Sequence, residues 1–202
     1  ETLLQAIPSL LRFIDSKPMS DSTTLPSPTA SELQSRTLRI AIGADHGALG
    51  LKQAVHEFLS RKGHAVSDFG THGTESVDYP DFAQSVSHAV GAAEADFGIL
   101  MCTSGIGMSI AANRFPHVRA ALVSEADDAR LSRRHNNANV LCLGANHVDP
   151  TAAARIVEAF ITTAFEGGRH ERRSGQPGGR VRVAHHRAQR QWRRGAVPVL
   201  VG

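Results

Sequence analysis

Apolar positions between residues 38 and 165 follow two spacings in turn. Runs at 38–43, 65–69, 97–102, 118–123 and 140–143 are nearly continuous in Val, Ile, Leu, Ala and Phe, the pattern of short strands buried on both faces. Between them apolar residues recur three or four apart, as in Leu51, Val55, Phe58 and Leu59, and again in Phe82, Val86 and Val90. That is the spacing of helices with one buried stripe. A charged helix is predicted over 125–134, and another from Pro150 to about residue 165. Punctuation agrees with the periods. Gly63 stands where a helix C-terminal cap belongs, and Gly167-Gly168 follow the last helix. Pro80 and Pro150 suit first helical turns, and a polar loop covers 70–79.

Strands alternating with helices of this length call for a parallel sheet covered on both sides. Right-handed crossovers make it a doubly wound, Rossmann-like α/β domain of five parallel strands, assigned to residues 37–173. Ligands of such sheets sit beyond the carboxyl ends of the strands. The chain places Asp45, His46, Cys102, Ser104 and Asn146 there.

Outside this domain the periodicity fails. Residues 3–14 have helical spacing but lack the positive start and small-residue cleavage pattern of a signal peptide. Residues 16–35 turn to Ser, Thr and Pro, so residues 1–36 are expected to be a flexible leader, with Met19 a candidate start. The net charge of +3 suggests a nucleic-acid ligand until its distribution is considered. The body is mildly acidic, and residues 168–202 hold nine arginines against the single Glu171. Residues 174–202 are therefore expected to be a basic, disordered or aberrant tail. Arginines neutralise phosphates, but only Trp192 accompanies them as an aromatic and only 197–201 is apolar, so nucleic acid is not the expected partner. No apolar run reaches the roughly 18 residues that cross a bilayer. Two cysteines, Cys102 and Cys142, argue for a reducing, cytoplasmic setting over a disulfide scaffold, a bridge between them being the alternative. No His-x-His or Cys-x-x-Cys spacing supports a zinc site.

The richest chemistry lies where the third strand runs into Cys102-Thr103-Ser104-Gly105-Ile106-Gly107-Met108-Ser109. A Gly-x-Gly turn opening a helix converges backbone N–H groups on an anion. Taken alone, it is close to the dinucleotide fingerprint, with Glu125 about 20 residues on as a ribose partner. Against that, the turn follows the third strand rather than the first, and a thiol and two hydroxyls crowd it. A lone cysteine is usually a small buried hydrophobe; the motifs around this one favour a chemical role.

Several separated motifs occur in order between residues 38 and 173: Ala44-Asp45-His46-Gly47, Asp78-Tyr79-Pro80, the run from Cys102 to Asn113, Ser132-Arg133-Arg134-His135-Asn136, Asn139-Val140-Leu141 and Glu166-Gly167-Gly168-Arg169-His170. Together they resemble ribose-5-phosphate isomerase type B, of the ribose/galactose isomerase family. The resemblance implies interconversion of D-ribose 5-phosphate and D-ribulose 5-phosphate, in the pentose phosphate pathway, without metal or organic cofactor. A base takes the proton from C2 of the open sugar and returns it to C1 through an enediolate, whose oxygen needs fixed donors. By similarity Cys102 is that base; a thiol is a poor base at neutral pH unless its thiolate is favoured, which a helix N-terminus just downstream would do. One branch of the family has a glutamate base where this chain has Met108. Ser104 stands in the place of a threonine that exchanges protons with the sugar oxygens, and the N–H groups of Gly105, Ile106, Gly107, Met108 and Ser109 would form the anion hole.

His135 resembles the ring-opening acid and base, a role suited to imidazole; the alternative is a helix-end histidine satisfying a carbonyl. Asn136 and Asp45 would hold sugar hydroxyls, with Tyr79 also lining the substrate. His46, Arg169, His170 and Arg173 match phosphate ligands, and guanidinium forks suit phosphate oxygens. The chain departs from the family twice. Asn146 stands where many members have arginine, which would weaken phosphate binding unless His147 compensates. The family's usual helix after Arg173 is not expected from the sequence that follows it. The family also implies a homodimer or tetramer with sites completed across the subunit boundary. Two alternatives to the pentose phosphate reaction stay open: a six-carbon substrate such as allose or galactose 6-phosphate, and a non-catalytic nucleotide or sugar-phosphate binding module.

Overall fold

The structure, a computed structural model, describes residues 28–170. Expectations for residues 1–27, for Arg173 and for the tail at 174–202 lie outside the described residues.

Five strands form one sheet: β1 (Arg39–Ala44), β2 (Ala65–Asp68), β3 (Phe97–Cys102), β4 (Ala120–Leu122) and β5 (Val140–Gly144). All neighbours pair in parallel, as the alternation with helices requires. The helices are α1 (Ala30–Ser35), α2 (Leu49–Arg61), α3 (Tyr79–Gly91), α4 (Ile106–Ala112), α5 (Ala126–Asn136) and α6 (Pro150–Thr162). Their ends follow the chain's punctuation. Pro80 and Pro150 lie in the first turns of α3 and α6, and Asp149 caps α6 by accepting the Ala152 N–H at 2.8 Å. Gly63 takes a φ of +81° just past α2. Among the described residues no helix is long and apolar enough to cross a membrane.

Strand periodicity sorts the core into two layers. Ile40 and Ile42 of β1, Ile99 and Met101 of β3, and Leu141 and Leu143 of β5 share one buried cluster with residues of α1, α2 and α6. Their alternates Ala41, Leu100, Cys102, Val140 and Cys142 pack on the other face with Val86 and Val90 of α3 and Met108 of α4. That second face is tight: a Cβ on Gly98 would come within 2.7 Å of Val86.

The strand order is β2-β1-β3-β5-β4, so the last two strands are out of sequence. β5 lies beside β3, with Cys102 opposite Gly144, and β4 is a three-residue edge, shorter than the predicted 118–123. Cys102 and Cys142 therefore share a face but sit two residues out of register. That offset puts their Cα atoms about 8 Å apart, beyond disulfide reach, and both thiols are free. Burial pushes the Cys142 thiol far up from its ordinary value, with nearby Cys102 a smaller cause.

Two details overturn local expectations. The end of the predicted flexible leader is helical. Thr29 and Glu32 form a reciprocal capping box for α1, and Leu33 is 1% exposed in the main core. A single leucine placed on a capped turn recovers apolar burial that the Ser/Thr/Pro composition hides. The second is Arg133, 4% exposed. Its guanidinium donates to Thr163 O at 3.2 Å, to Asn137 Oδ1 at 2.9 Å and to Ala138 O. It also lies over the Phe97 ring at 4.7 Å. Burial, and secondarily Arg119, push it down to about 10, leaving it protonated at neutral pH. It ties the end of α5 to the end of α6 and to the entry of β5.

Leu33→Ala is expected to cost about 2–4 kcal/mol, read as a lower urea midpoint at unchanged slope; an unchanged midpoint would show that α1 does not dock.

Candidate functional site

β1 and β3 deliver their carboxyl ends side by side. The Asp45 N–H donates to Met101 O at 3.2 Å, and Asp45, 8% exposed, accepts the Gly47 N–H through Oδ1 at 3.0 Å. That tight turn presses on β3's loop, since a Cβ on Gly47 would fall 2.3 Å from Thr103 Oγ1. On the other side the N–H groups of Ala145 and Asn146 donate to the carbonyls of Cys102 and Thr103 at 2.9 and 3.0 Å. Cys102 thus ends its strand between two loops that grip its backbone.

The turn into α4 is built around the sulfur. Gly105 has φ +76°, and its N–H donates to Cys102 Sγ at 3.1 Å. No side chain fits at Gly105, where a Cβ would meet Leu122 at 2.5 Å and the Leu143–Gly144 backbone at about 3.0 Å. The Ile106 N–H donates to Ser104 Oγ at 3.3 Å, and the Ser109 N–H to Gly105 O at 3.1 Å. The five backbone donors expected from Gly105, Ile106, Gly107, Met108 and Ser109 are therefore not equivalent. Those of Gly107 and Met108 are the first-turn donors left for an anion, beside a sulfur that already accepts one.

The loop at 69–78 is tied at both ends to the carboxyl end of β1 and the turn after it. Asp68, in an ion pair with the buried Lys52, accepts the Gly70 N–H at 3.0 Å through Oδ1. At the far end of the loop the Val77 N–H donates to His46 Nδ1 at 3.2 Å, so Nε2 carries the proton of the neutral ring and faces outward as a donor. Tyr79 then lies against Gly107, where a Cβ would be 2.8 Å from the ring.

This last contact weighs against the dinucleotide reading. Gly107's missing side chain makes room for a tyrosine, not for a pyrophosphate. Glu125 opens α5 after β4, and β5 separates β4 from β3, so Glu125 does not occupy the neighbouring-strand position of a ribose partner. Beside Ser104 a hollow of about 210 Å³ is lined also by Leu122, Asp128, Gly144 and His147. A larger cavity of about 930 Å³ lies under α1 among Leu33, Arg36, Asp96 and Arg119, away from the thiol.

The remaining predicted residues form a second group at the opposite edge of the sheet. His135 and Asn136 end α5, and the chain then enters β5 at Val140. Four residue steps of β5 separate Val140 from Gly144, about 13 Å at the usual strand rise, so one chain does not bring His135 to Cys102. Around His135 the segment after α6 folds back, its Glu166 N–H donating to Arg134 O at 3.1 Å. The His135 and His170 rings stack at 4.4 Å and 7°. Their Nε2 atoms lie 3.7 and 3.9 Å from Glu166 Oε2, while Glu166 Oε1 accepts from Arg134 Nε at 2.7 Å and from its Nη2. Arg169 is exposed beside them.

Glu166 is the residue that sequence reasoning missed. It was visible inside the Glu166-Gly167-Gly168-Arg169-His170 motif, but nothing in the spacing pairs it with Arg134, 32 positions earlier. The Arg134 hydrogen bonds hold its carboxyl below the usual glutamate range; desolvation opposes them, and the charges of Arg134, His135 and His170 add to the lowering.

Comparison with known proteins points one way. Residues 40–176 match the family model described as Ribose/Galactose Isomerase. Ribose-5-phosphate isomerase B of Escherichia coli (strain K12) is 44% identical over 135 residues, 67% of this chain and 91% of that protein. D-erythrulose-4-phosphate isomerase of Pectobacterium atrosepticum is 41% identical over 132 residues, 65% of this chain and 87% of that protein. Among solved structures, a ribose 5-phosphate isomerase from Thermotoga maritima superposes with a TM-score of 0.68 at 51% identity, covering 69% of this chain and 96% of that one.

A depressed carboxyl stabilises the fold above its unfolded-state pKa and loses that contribution as pH falls through the folded value. Arg134→Gln is expected to raise the Glu166 titration toward an ordinary glutamate, so that the contribution shrinks and is gone at a higher pH. A carboxyl-carbon NMR titration reads it, and an unmoved Glu166 would remove Arg134 as the cause.

Proposed function

Since the chain belongs to the ribose/galactose isomerase family and is an aldose–ketose isomerase, we propose that it interconverts D-ribose 5-phosphate and D-ribulose 5-phosphate through an enediolate, with Cys102 as the base. The observation that carries this reading is the Gly105 N–H aimed at Cys102 Sγ at 3.1 Å, on a strand end flanked by Asp45 and by two unspent helix donors.

In the forward direction the Cys102 thiolate takes the proton from C2 of the open-chain aldose, and the C2 electron pair moves into the new C1–C2 double bond. The aldehyde oxygen becomes the enediolate oxygen, where the N–H groups of Gly107 and Met108 stabilise the developing charge. Ser104 moves a proton between the two oxygens, and the thiol returns the abstracted proton to C1. Asp45 accepts from a sugar hydroxyl, while His46 offers its Nε2–H to the phosphate. Nothing in this sequence of steps requires a cofactor.

Ring opening and the rest of the phosphate grip need His135, Asn136, Arg169 and His170, and with them Arg173 from outside the described residues. One chain holds the described four, His135, Asn136, Arg169 and His170, at the far edge of its sheet, so the complete site takes Cys102 from one copy and His135 from another. Exposed apolar side chains near the thiol support such a contact: Ile106 is 52% exposed, Ile110 62% and Leu122 43%. A homodimer with two shared sites, or a tetramer of such pairs, follows from two-fold symmetry. The free thiols fit a cytoplasmic setting.

Purified protein assayed without added metal is expected to turn over ribose 5-phosphate faster than four-carbon or six-carbon aldose phosphates. Cys102→Ala should lower kcat by about 10²–10⁴-fold with an unchanged circular dichroism spectrum. Full activity in that variant sinks the assigned base. Cys102→Ala and His135→Ala, each inactive alone, should regain about a quarter of wild-type activity when unfolded and refolded together, because a mixed dimer has one intact site. No recovery would place both residues in the same chain's site. NAD binding without isomerase activity would favour a non-catalytic module.

A further inference from the structure

The geometry points to a divalent transition-metal site at His135, Glu166 and His170, of the kind that takes Zn²⁺, and to inhibition of the isomerase when the ion is bound. The three donor atoms all lie within 4.8 Å of one another. Glu166 Oε2 is 3.7 Å from His135 Nε2 and 3.9 Å from His170 Nε2. A tetrahedral ion with ligands at its usual distances needs neighbouring donors about 3.3–3.5 Å apart, so the two Glu166–histidine contacts must close by about half an ångström or less, and the two imidazole nitrogens, within 4.8 Å of each other, must move together. The rings lie nearly parallel, 7° apart, with centroids at 4.4 Å, and both nitrogens approach the same carboxylate oxygen. Ligation requires the two rings to turn out of this stack so that both lone pairs meet at the ion.

The frame that holds these donors resembles the outer shell of a metal centre. Glu166 cannot swing away, because its other oxygen is clamped by Arg134 and its N–H is bonded to Arg134 O. The His170 backbone is held by its main-chain N–H, which donates to Gly167 O at 3.1 Å. A carboxylate clamped as Glu166 is loses less freedom on binding an ion. Two imidazoles and a carboxylate suit Zn²⁺, Ni²⁺ or Cu²⁺, whereas Mg²⁺ and Ca²⁺ prefer oxygen-only sites. Three protein donors leave a fourth position for water or for a phosphate oxygen. Within one chain the thiols contribute nothing, since Cys102 stands at the opposite edge of the sheet.

An ion on these atoms occupies the His135 lone pair that would move a proton in ring opening, and it withdraws His170 from the phosphate. The inhibition, though not the binding, rests on the function proposed above. Binding is also pH-dependent, because both imidazoles must be neutral to ligate.

The test uses the full chain freed of metal by chelator dialysis. Titration with Zn²⁺ against a fluorescent chelator is expected to show one tight equivalent, weakened by at least about tenfold in Glu166→Gln and again in His170→Ala. X-ray absorption of the Zn²⁺-loaded wild type should show two imidazole ligands, which keeps the question open to measurement if a variant misfolds. Retention of full affinity in both variants overturns the site, as does sulfur in the coordination shell. The tail at 174–202 carries an adjacent pair, His185-His186, as a rival source of ligands; loss of the tight equivalent in a His185→Ala/His186→Ala form, or no binding at millimolar Zn²⁺, also overturns the site. In the activity arm Zn²⁺ should suppress ribose 5-phosphate turnover and chelator should restore it. Turnover insensitive to the bound ion removes the inhibition. Metal bound by a protein with no isomerase activity refutes the functional reading and leaves the site; activity without metal binding refutes the site alone.

Discussion

A parallel sheet gives a domain two unlike ends. Every strand finishes at one edge and every crossover helix finishes at the other, because each helix must carry the chain back before the next strand begins. In this chain the edge where the strands end holds a thiol, a carboxylate and open backbone donors. The edge where α5 and α6 end holds two imidazoles, an asparagine and exposed cationic groups. On the proposed function neither set makes a complete sugar-phosphate site by itself. The strand length that separates them cannot be shortened without dismantling the core, and so on that reading a second copy would supply the missing groups.

Two local departures from regularity position each half. At the thiol, placing β5 beside β3 brings the loop at Gly144 onto the carbonyls of Cys102 and Thr103, and this grip fixes the strand end before α4 begins. At the other edge the buried Arg133 gathers the ends of α5, α6 and the entry of β5 through Thr163, Asn137 and Ala138. His135 and Asn136 follow Arg133 by two and three residues, so a core interaction sets where those side chains emerge. The energetic reason is the same in both places: buried backbone carbonyls must be satisfied, and here the donors that satisfy them also aim the neighbouring polar side chains.

Much of this was legible from the chain. Continuous apolar runs marked all five strands, and Cys102, Asp45 and His46 were placed at strand ends because polar residues interrupt those runs abruptly. Boundaries slipped where packing overrides pattern. β4 is half the length of its apolar run because only β5 pairs with it, and α1 escaped notice because one buried leucine on a capping box leaves no periodic trace. The distance between Cys102 and His135 was also hidden. Motif order along a chain carries no information about which edge of a sheet each motif reaches; that needs the direction of each element. Glu166 stayed silent for a related reason. Glu166 lies in the segment after α6 while its partners Arg134 and His135 lie on α5, and no spacing rule links residues joined only by the packing of α5 on α6.

The position of Glu166 is instructive because a carboxylate among groups suited to phosphate is at first sight a conflict. Like charges repel most strongly where solvent is scarce, and a loose glutamate would push an incoming phosphate away. Arg134 resolves the conflict by committing one carboxylate oxygen to a two-nitrogen contact, so that the pair presents little net charge while the second oxygen stays near both imidazoles. Protonated, those rings are held by Glu166 as cations that an anion can approach. Neutral, they and the same oxygen become three convergent donors. One arrangement of side chains therefore serves opposite charges according to its protonation, and the carboxylate, kept ionised by Arg134, is the element common to both.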